Sequence, residues 1–416
     1  MRLPYVEWLR PGLGVKRWVL LAVAGTTVLA CALLVGVGLL VSDELVRGLG
    51  LGSLHGHRGA ALLVAADALM LGAVGLVLGV RGVVRFERST PDSVSEILSE
   101  GRLARGPRIV AIGGGNGLAA LLKGLKHHTS NLTAVVTVAD DGGSSGRLRK
   151  DMGVLPPGDI RNCLVALADD ESLMGRLFQY RFTNGGLQGH SFGNLFVAAL
   201  AEVTGDFERA VRESTSVLKV RGRVLPSTLE NVVLHAQLQG GEQVSGESTI
   251  TAADHLPLRV WLTPTSAAAL PEALAAIDDA DLVVLGPGSV FTSIIPNLLI
   301  PEVCQTLQRT RACVAYVCNV MTQPGETDDY SCGDHVDALY RHGAAGLVDV
   351  VLVNDTPVSG DLAVRYEQAG ARPVAVDDDR LRGLGLRVVH APLATGSNVF
   401  RHDPALLSQA LAKLVC

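Results

Sequence analysis

The apolar positions of this chain fall into two distinct patterns. Near the amino end they form two long blocks, 18–41 and 59–80. From Arg108 onward they come as short runs, separated by polar turns and stretches of helical spacing. The first block carries no charged residue and the second carries only Asp67. Each block exceeds the roughly 20 residues that a helix needs to cross a bilayer core. A signal peptide has a shorter apolar region and is not followed by a second span. The pattern predicts a tail over 1–17 and a transmembrane helical hairpin over 18–85.

Flanking charge sets the orientation. Arg2, Arg10, Lys16 and Arg17 precede the first block and Arg81, Arg85 and Arg88 follow the second, whereas the connecting loop holds only Arg47 and Arg58. Both termini, and everything after Arg81, are therefore expected on the cytoplasmic side of the cell (inner) membrane, on a multi-pass protein. Asp67 is costly inside a span. The simplest expectation is a carboxyl that is protonated, or paired where the two helices touch. Residues 86–107 are polar, with a short helical pattern at Val94, Ile97 and Leu98, and read as a linker.

Over 108–416 the short runs occur at 108–112, 132–138, 232–237, 258–262, 282–285, 313–317 and 349–353, rich in Val and Ile. Near-continuous apolar strands alternating with helical spacing, such as Leu118, Leu121, Leu122 and Leu125, predict an α/β fold. It is Rossmann-like and doubly wound, with a mostly parallel sheet covered on both faces. Ligands of such sheets bind beyond the carboxyl ends of the strands, so the residues after each run are the candidates.

Composition narrows the function classes. The formal net charge is −5, so no global basic field points to nucleic acid. The seven cysteines, Cys31, Cys163, Cys304, Cys313, Cys318, Cys332 and Cys416, are scattered without a C-x-x-C. That suits a reducing compartment rather than a disulfide framework or a zinc site.

After the first run comes Gly113-Gly114-Gly115-Asn116-Gly117, opening a helix. Glycines permit close backbone approach, and a helix N-terminus suits a phosphate. The third glycine of G-x-G-x-x-G is replaced by Leu118, so the turn is not the usual dinucleotide fingerprint. After the second run stand Asp140, Asp141, Gly142, Gly143, Ser144, Ser145, Gly146 and Arg147. Asp140 is placed to meet ribose hydroxyls, or to form with Asp141 a hard-cation pair for Mg²⁺. Asp159 is a natural helix cap. Arg161 and Asn162 lie in the first turn of the same helix, where a cation is unfavourable unless an anion lies near. His190, Ser191 and Asn194 open another helix, and His190 could serve structure or ligand equally. Gly286, Gly288, Ser289, Thr292 and Ser293 offer donors after a further run, and Asn319 follows the next. No G-x-S-x-G, Walker lysine or H-E-x-x-H is present. The candidates are rich in donors and poor in nucleophiles.

The segments GGGNG, VADDGGSSGRLR, PPGDIRNCL, GHSFGNLF, GPGSVFTSIIPNLL and NVMTQPGETDDY, in this order, resemble the bacterial gluconeogenesis factor family. These are CofD-like relatives of 2-phospho-L-lactate transferase. The resemblance spans 108–416. It implies a Rossmann-like domain that binds UDP-N-acetylglucosamine, with its diphosphate on the 113–117 turn. It also implies a role in cell shape and peptidoglycan wall synthesis during gluconeogenic growth. Proteins of wall synthesis or central metabolism would be the partners, and a homo-oligomer stays open. The transferase branch tends to carry GGTG where this chain has Gly114-Gly115-Asn116-Gly117. The expectation is therefore a membrane-anchored binding protein. The alternative is a transferase moving a phosphate-linked group from a nucleotide diphosphate donor with a divalent cation.

Overall fold

Helices α1 (Lys16–Val41) and α2 (Arg58–Ser89) form the first of two units into which the chain divides at Gly101 and Arg102. The computed structural model describes residues 16–41, 58–89, 101–168, 173–396 and 399–415. Residues 1–15 of the expected tail, most of the loop and residues 90–100 of the expected linker lie outside the described residues. Both helices are long and apolar enough to cross a membrane. Small residues set their contact. A Cβ added to Gly25 would lie 2.5 Å from the Leu76 backbone nitrogen, one on Gly72 2.9 Å from Leu29, and one on Gly79 2.6 Å from Ala22. Glycine lets the backbones close to a distance that maximises van der Waals contact where lipid offers no hydrophobic drive. Asp67 is exposed on α2, so of the two alternatives expected for it, the pairing between the helices is not the one seen.

In the second unit β1 (Ile109–Gly113) leads into α3 (Gly115–Leu125), and β2 (Leu132–Val136) leads into α4 (Gly143–Met152) and α5 (Gly158–Leu167). Helices α6 (Leu173–Gln179), α7 (Phe192–Thr204) and α8 (Phe207–Leu218) precede β3 (Arg223–Pro226). An insertion follows, made of β4 (Val233–Leu238), β5 (Gln243–Ser245), α9 (Glu247–Thr251) and β6 (Pro257–Thr263). The chain returns through α10 (Pro271–Asp278) to β7 (Leu282–Leu285), a π-helical turn Val290–Ile294, α11 (Ile295–Leu298) and α12 (Pro301–Arg309). Then come β8 (Cys313–Val317), α13 (Cys332–Leu339), β9 (Val350–Asn354), α14 (Gly360–Gln368), α15 (Asp378–Gly383) and β10 (Arg387–Ala391). A ribbon of β11 (Ala394–Thr395) and β12 (Arg401–His402), and α16 (Pro404–Ala412), complete the fold.

The main sheet has 7 strands in the order β10-β9-β8-β7-β1-β2-β3, all parallel. Every residue of β1, β2 and β7 is buried. Leu118, Leu121, Leu122 and Leu125 on α3 are each 0% exposed. Burying a leucine contributes about 1.5–3 kcal/mol, so this stripe pins α3 to the sheet and fixes where its first turn points. From β1 the chain winds outward through β2 and β3, then restarts on the other side at β7. The strand order therefore reverses between β1 and β7, which is where a doubly wound sheet opens a crevice.

Two expected strands of the main sheet lie elsewhere. The runs at 232–237 and 258–262 pair antiparallel in a separate 3-stranded sheet, β5-β4-β6. In β4 buried and half-buried residues alternate, the mark of a sheet covered on one face. The edge strands β3 and β10 take their places at the two margins of the main sheet. Pro226 at the end of β3 fits an edge, where a missing N–H is tolerated. Part of the expected linker is also structured. Leu103 is 4% exposed, and its carbonyl accepts the Ser130 N–H at 3.1 Å.

Candidate functional site

The crevice at the reversal point is a pocket of about 550 Å³. The turns after β1, β7 and β8 build it: Gly114, Gly115, Asn116 and Gly117; Pro287, Gly288, Ser289, Thr292 and Ser293; and Asn319 through Gln323 with Glu326. The insertion adds Glu247 and Thr251, and the carboxyl-terminal ribbon adds Arg401 and His402.

Each part of the first turn has its own reason. Gly115 has φ +64°, a conformation that costs a side chain roughly 1–2 kcal/mol. Gly117 packs so closely on the carbonyl of Pro287 that a Cβ has no room. This contact holds the turns after β1 and β7 side by side. The Asp159 carboxylate accepts the Gly115 N–H. Asn116 and Gly117 follow in the first helical turn, whose N–H groups have no carbonyl a turn earlier to bond. Asp159 was expected to cap α5. The cap is Pro157, and Asp159 in the first turn braces the β1 turn instead. Burial, and then the charge of Asp140, push its carboxyl up to about 6.

The opposite wall is a hydroxyl and carboxyl network. Ser289 Oγ donates to the fully buried Glu326, and accepts the Thr292 N–H at 3.0 Å and the Thr292 hydroxyl at 2.7 Å. Glu326 also accepts the Phe291 N–H at 3.3 Å. Burial raises the Glu326 carboxyl, and these donors pull the other way. The network fixes the rotamers of Ser289 and Thr292 at the pocket edge. His402 is a neutral imidazole, since burial lowers its pKa to about 4. Its buried Nε2 has no partner among the described residues.

Acids crowd one side. Glu247 is raised to about 7 by burial first, then by Asp140, Asp159, Asp141 and Glu326. Asp140 and Asp141 do not line the pocket, and they do not act as a pair. Asp140 Oδ1 accepts the Gly142 N–H at 2.8 Å, whereas Asp141 Oδ1 accepts the Ser248 N–H at 2.9 Å, on the insertion. The second oxygen of Asp141 faces Gly246, and that of Asp140 faces Gly158. The two carboxylates thus brace different turns. Among the described residues no group of three or more His, Cys, Asp and Glu is placed to hold a metal ion.

The remaining candidates scatter. Gly113 closes β1, and Gly286 follows β7 with φ +81°. Gly142 caps α4, Gly143 starts it, and Ser144 Oγ meets His190 Nδ1 at 3.0 Å. Ser145 packs against Gly158. Ser191 is the N-cap of α7, its hydroxyl accepting the Asn194 N–H at 3.2 Å. Arg147 donates to the Gln188 carbonyl at 2.9 Å. These residues hold α4, α5 and α7 together rather than line the crevice. Arg161 and Asn162 line a different cavity.

Glu247, Arg401 and His402 had no signal after a strand of the main sheet. Glu326 stood inside the NVMTQPGET segment, where its burial against Ser289 was not legible.

Residues 109–394 match the family model of 2-phospho-L-lactate transferase CofD. A relative from Nostoc sp., provisionally named a gluconeogenesis factor, is 45% identical over 422 residues, covering 98% of this chain and 92% of the relative. The chain belongs to the gluconeogenesis factor family. The gluconeogenesis factor of Bacillus subtilis is 49% identical over 311 residues, 74% of this chain and 98% of that protein. A crystal structure from Bacillus halodurans, described as a member of the upf0052 family, is 46% identical with a TM-score of 0.71. It covers 74% of this chain and 99% of that one. The Nostoc match takes in the two apolar helices, because 98% of the chain leaves too little to exclude them. The shorter gluconeogenesis factors match a length close to that of the second unit alone.

Proposed function

We propose that this member of the gluconeogenesis factor family is a membrane-anchored receptor for a UDP-sugar, UDP-N-acetylglucosamine, acting in cell shape and wall synthesis during gluconeogenic growth. One observation carries the ligand class. The crevice at the strand reversal joins a helix N-terminus to hydroxyl and amide groups, and its volume suits a small ligand. A diphosphate meets the N–H groups of the first turn of α3 and Arg401. Thr292 accepts from a sugar hydroxyl, and Ser293 and Asn319 donate to the uridine and sugar oxygens. Glu247 accepts sugar or ribose hydroxyls, the role first expected of Asp140. The reading is of a sensor that reports ligand to proteins of wall synthesis or central metabolism.

Asn116→Leu is the test. Asn116 is exposed, so the fold is kept, while the side chain covers the helix N-terminus. Calorimetry should show UDP-N-acetylglucosamine binding lost. Unchanged affinity would mean that the turn is only structural. Incubating the protein with UDP-sugars and deazaflavin acceptors tests the transferase alternative, since product formation would replace the sensor reading. For the anchor, protease added to intact spheroplasts should spare everything after Arg81. Cleavage of the large domain from outside would overturn the orientation.

A further inference from the structure

A second cavity of about 630 Å³ lies beside the first, and Asn116 lines both. Among the described residues its charge is of one sign. Lys123 on α3, Arg161 on α5, Arg176 on α6 and Arg181 just beyond α6 line it, and no described Asp or Glu does. None of the four forms an ion pair with a described residue. This concentration of cations stands in a chain of formal net charge −5.

Lys123 and Arg176 each sit in the last turn of a helix, and helix dipoles alone explain them. Arg161 has no such explanation. It stands near the start of α5, where the dipole opposes a cation. Its Nε is buried without a hydrogen-bond partner among the described residues. Its guanidinium donates to the neutral Asn162 Oδ1 at 2.5 Å. Burial, and then the charge of Arg181, bias Arg161 against ionisation, and Asp159 and Asp140 offset this only in part. A half-buried, under-bonded guanidinium lining one cavity with the exposed guanidinium of Arg181, which donates to the Gly189 carbonyl at 2.6 Å, is electrostatically incomplete. An anion bonding to both would complete it, with charge-assisted hydrogen bonds of the strong class. The floor, Val165 and Ala166, is apolar, and the concave shape suits a small molecule more than a flat surface.

We infer that this cavity is a binding site for a small phosphorylated metabolite, distinct from the nucleotide-sugar pocket and sharing with it the first turn of α3. Phosphate oxygens bridge Arg161 and Arg181, with Lys123 and Arg176 at the mouth. The inference does not rest on the UDP-sugar reading, because none of its cations lines the first pocket.

The test uses the full chain in detergent, with inorganic pyrophosphate as the probe. Calorimetry is run with and without saturating UDP-N-acetylglucosamine, on the natural protein and on Lys123→Ala/Arg176→Ala. Both side chains are exposed and carry no structural bond that their loss would break. Pyrophosphate should bind one-to-one in the presence of the nucleotide sugar. The double substitution should weaken it at least tenfold and leave nucleotide-sugar affinity unchanged. Pyrophosphate binding that the double substitution does not alter would overturn the proposal. So would complete displacement by the nucleotide sugar, which would place the anion in the first pocket. Short-chain phosphatidylglycerol, titrated into the same detergent sample, forms a separate arm. If the substitutions abolish its binding but not that of pyrophosphate, the cations serve a lipid headgroup and the proposal fails. Should the nucleotide sugar not bind at all, the effect of the double substitution on pyrophosphate still decides.

Discussion

Asp159→Asn should stabilise the ligand-free protein above neutral pH and leave it unchanged in acid. The carboxyl rises from an ordinary 3.8 to about 6, through burial and then the charge of Asp140. For an acid raised in the folded state, the native protein binds more protons than the unfolded chain between these two values. Stability therefore falls as pH rises through that window, and the loss is complete above about 6. At about 1.4 kcal/mol per unit the whole shift corresponds to ~3 kcal/mol. The carboxyl keeps some solvent access, and asparagine forfeits the attraction of Arg161, so about 1–2 kcal/mol of gain is expected at pH 8. Asparagine retains an oxygen to accept the Gly115 N–H, so the turn after β1 keeps its brace. Urea unfolding of both proteins, in detergent at pH 4, 6 and 8, measures the difference. A gain that grows from near zero at pH 4 to its full size at pH 8 supports the reasoning. A gain independent of pH, or a loss at pH 8, would refute it and mean that the charged form of Asp159 is the one the fold favours.

Other expectations follow from the same geometry. Affinity for UDP-N-acetylglucosamine should rise as pH falls from 8 to 6, because Glu247 loses its charge near 7 and ceases to repel a diphosphate, while the neutral carboxyl keeps an oxygen to accept a hydroxyl. Glu247→Gln should flatten the profile, and a profile that survives the substitution assigns the titration elsewhere. Gly117→Ala should destabilise by about 1–3 kcal/mol through overpacking against the Pro287 carbonyl, read as a lower thermal midpoint. Glu326→Ala should cost about 1–3 kcal/mol by leaving the Phe291 N–H buried without its acceptor, and should weaken nucleotide-sugar binding in the same calorimetric assay. Gly79→Leu should drive α1 and α2 apart, so that a disulfide engineered across their contact no longer forms.

The hairpin, the α/β class and the glycine turn after β1 were legible in the sequence because each rests on local physics. Length and apolarity alone mark a span. Continuous Val and Ile runs mark buried parallel strands, and leucines at helical spacing mark the face of α3 that the sheet covers. The motif order likewise carried the family. The pairing partners of a strand were not local information. The runs at 232–237 and 258–262 have strand composition, but only the folded chain shows them in an antiparallel insertion, with edge strands β3 and β10 completing the main sheet. Side-chain direction was equally hidden. Asp140 and Asp141 are adjacent in sequence, yet their carboxylates turn to different backbone N–H groups. Asp159 reaches across to Gly115, and Arg161 lines a second cavity. Glu247, Arg401 and His402 come to the pocket from segments far from β1 in the chain. A sequence states which groups are available and which local structures they favour. Which of them converge on one volume is set by long-range packing, where the strand order reverses between β1 and β7.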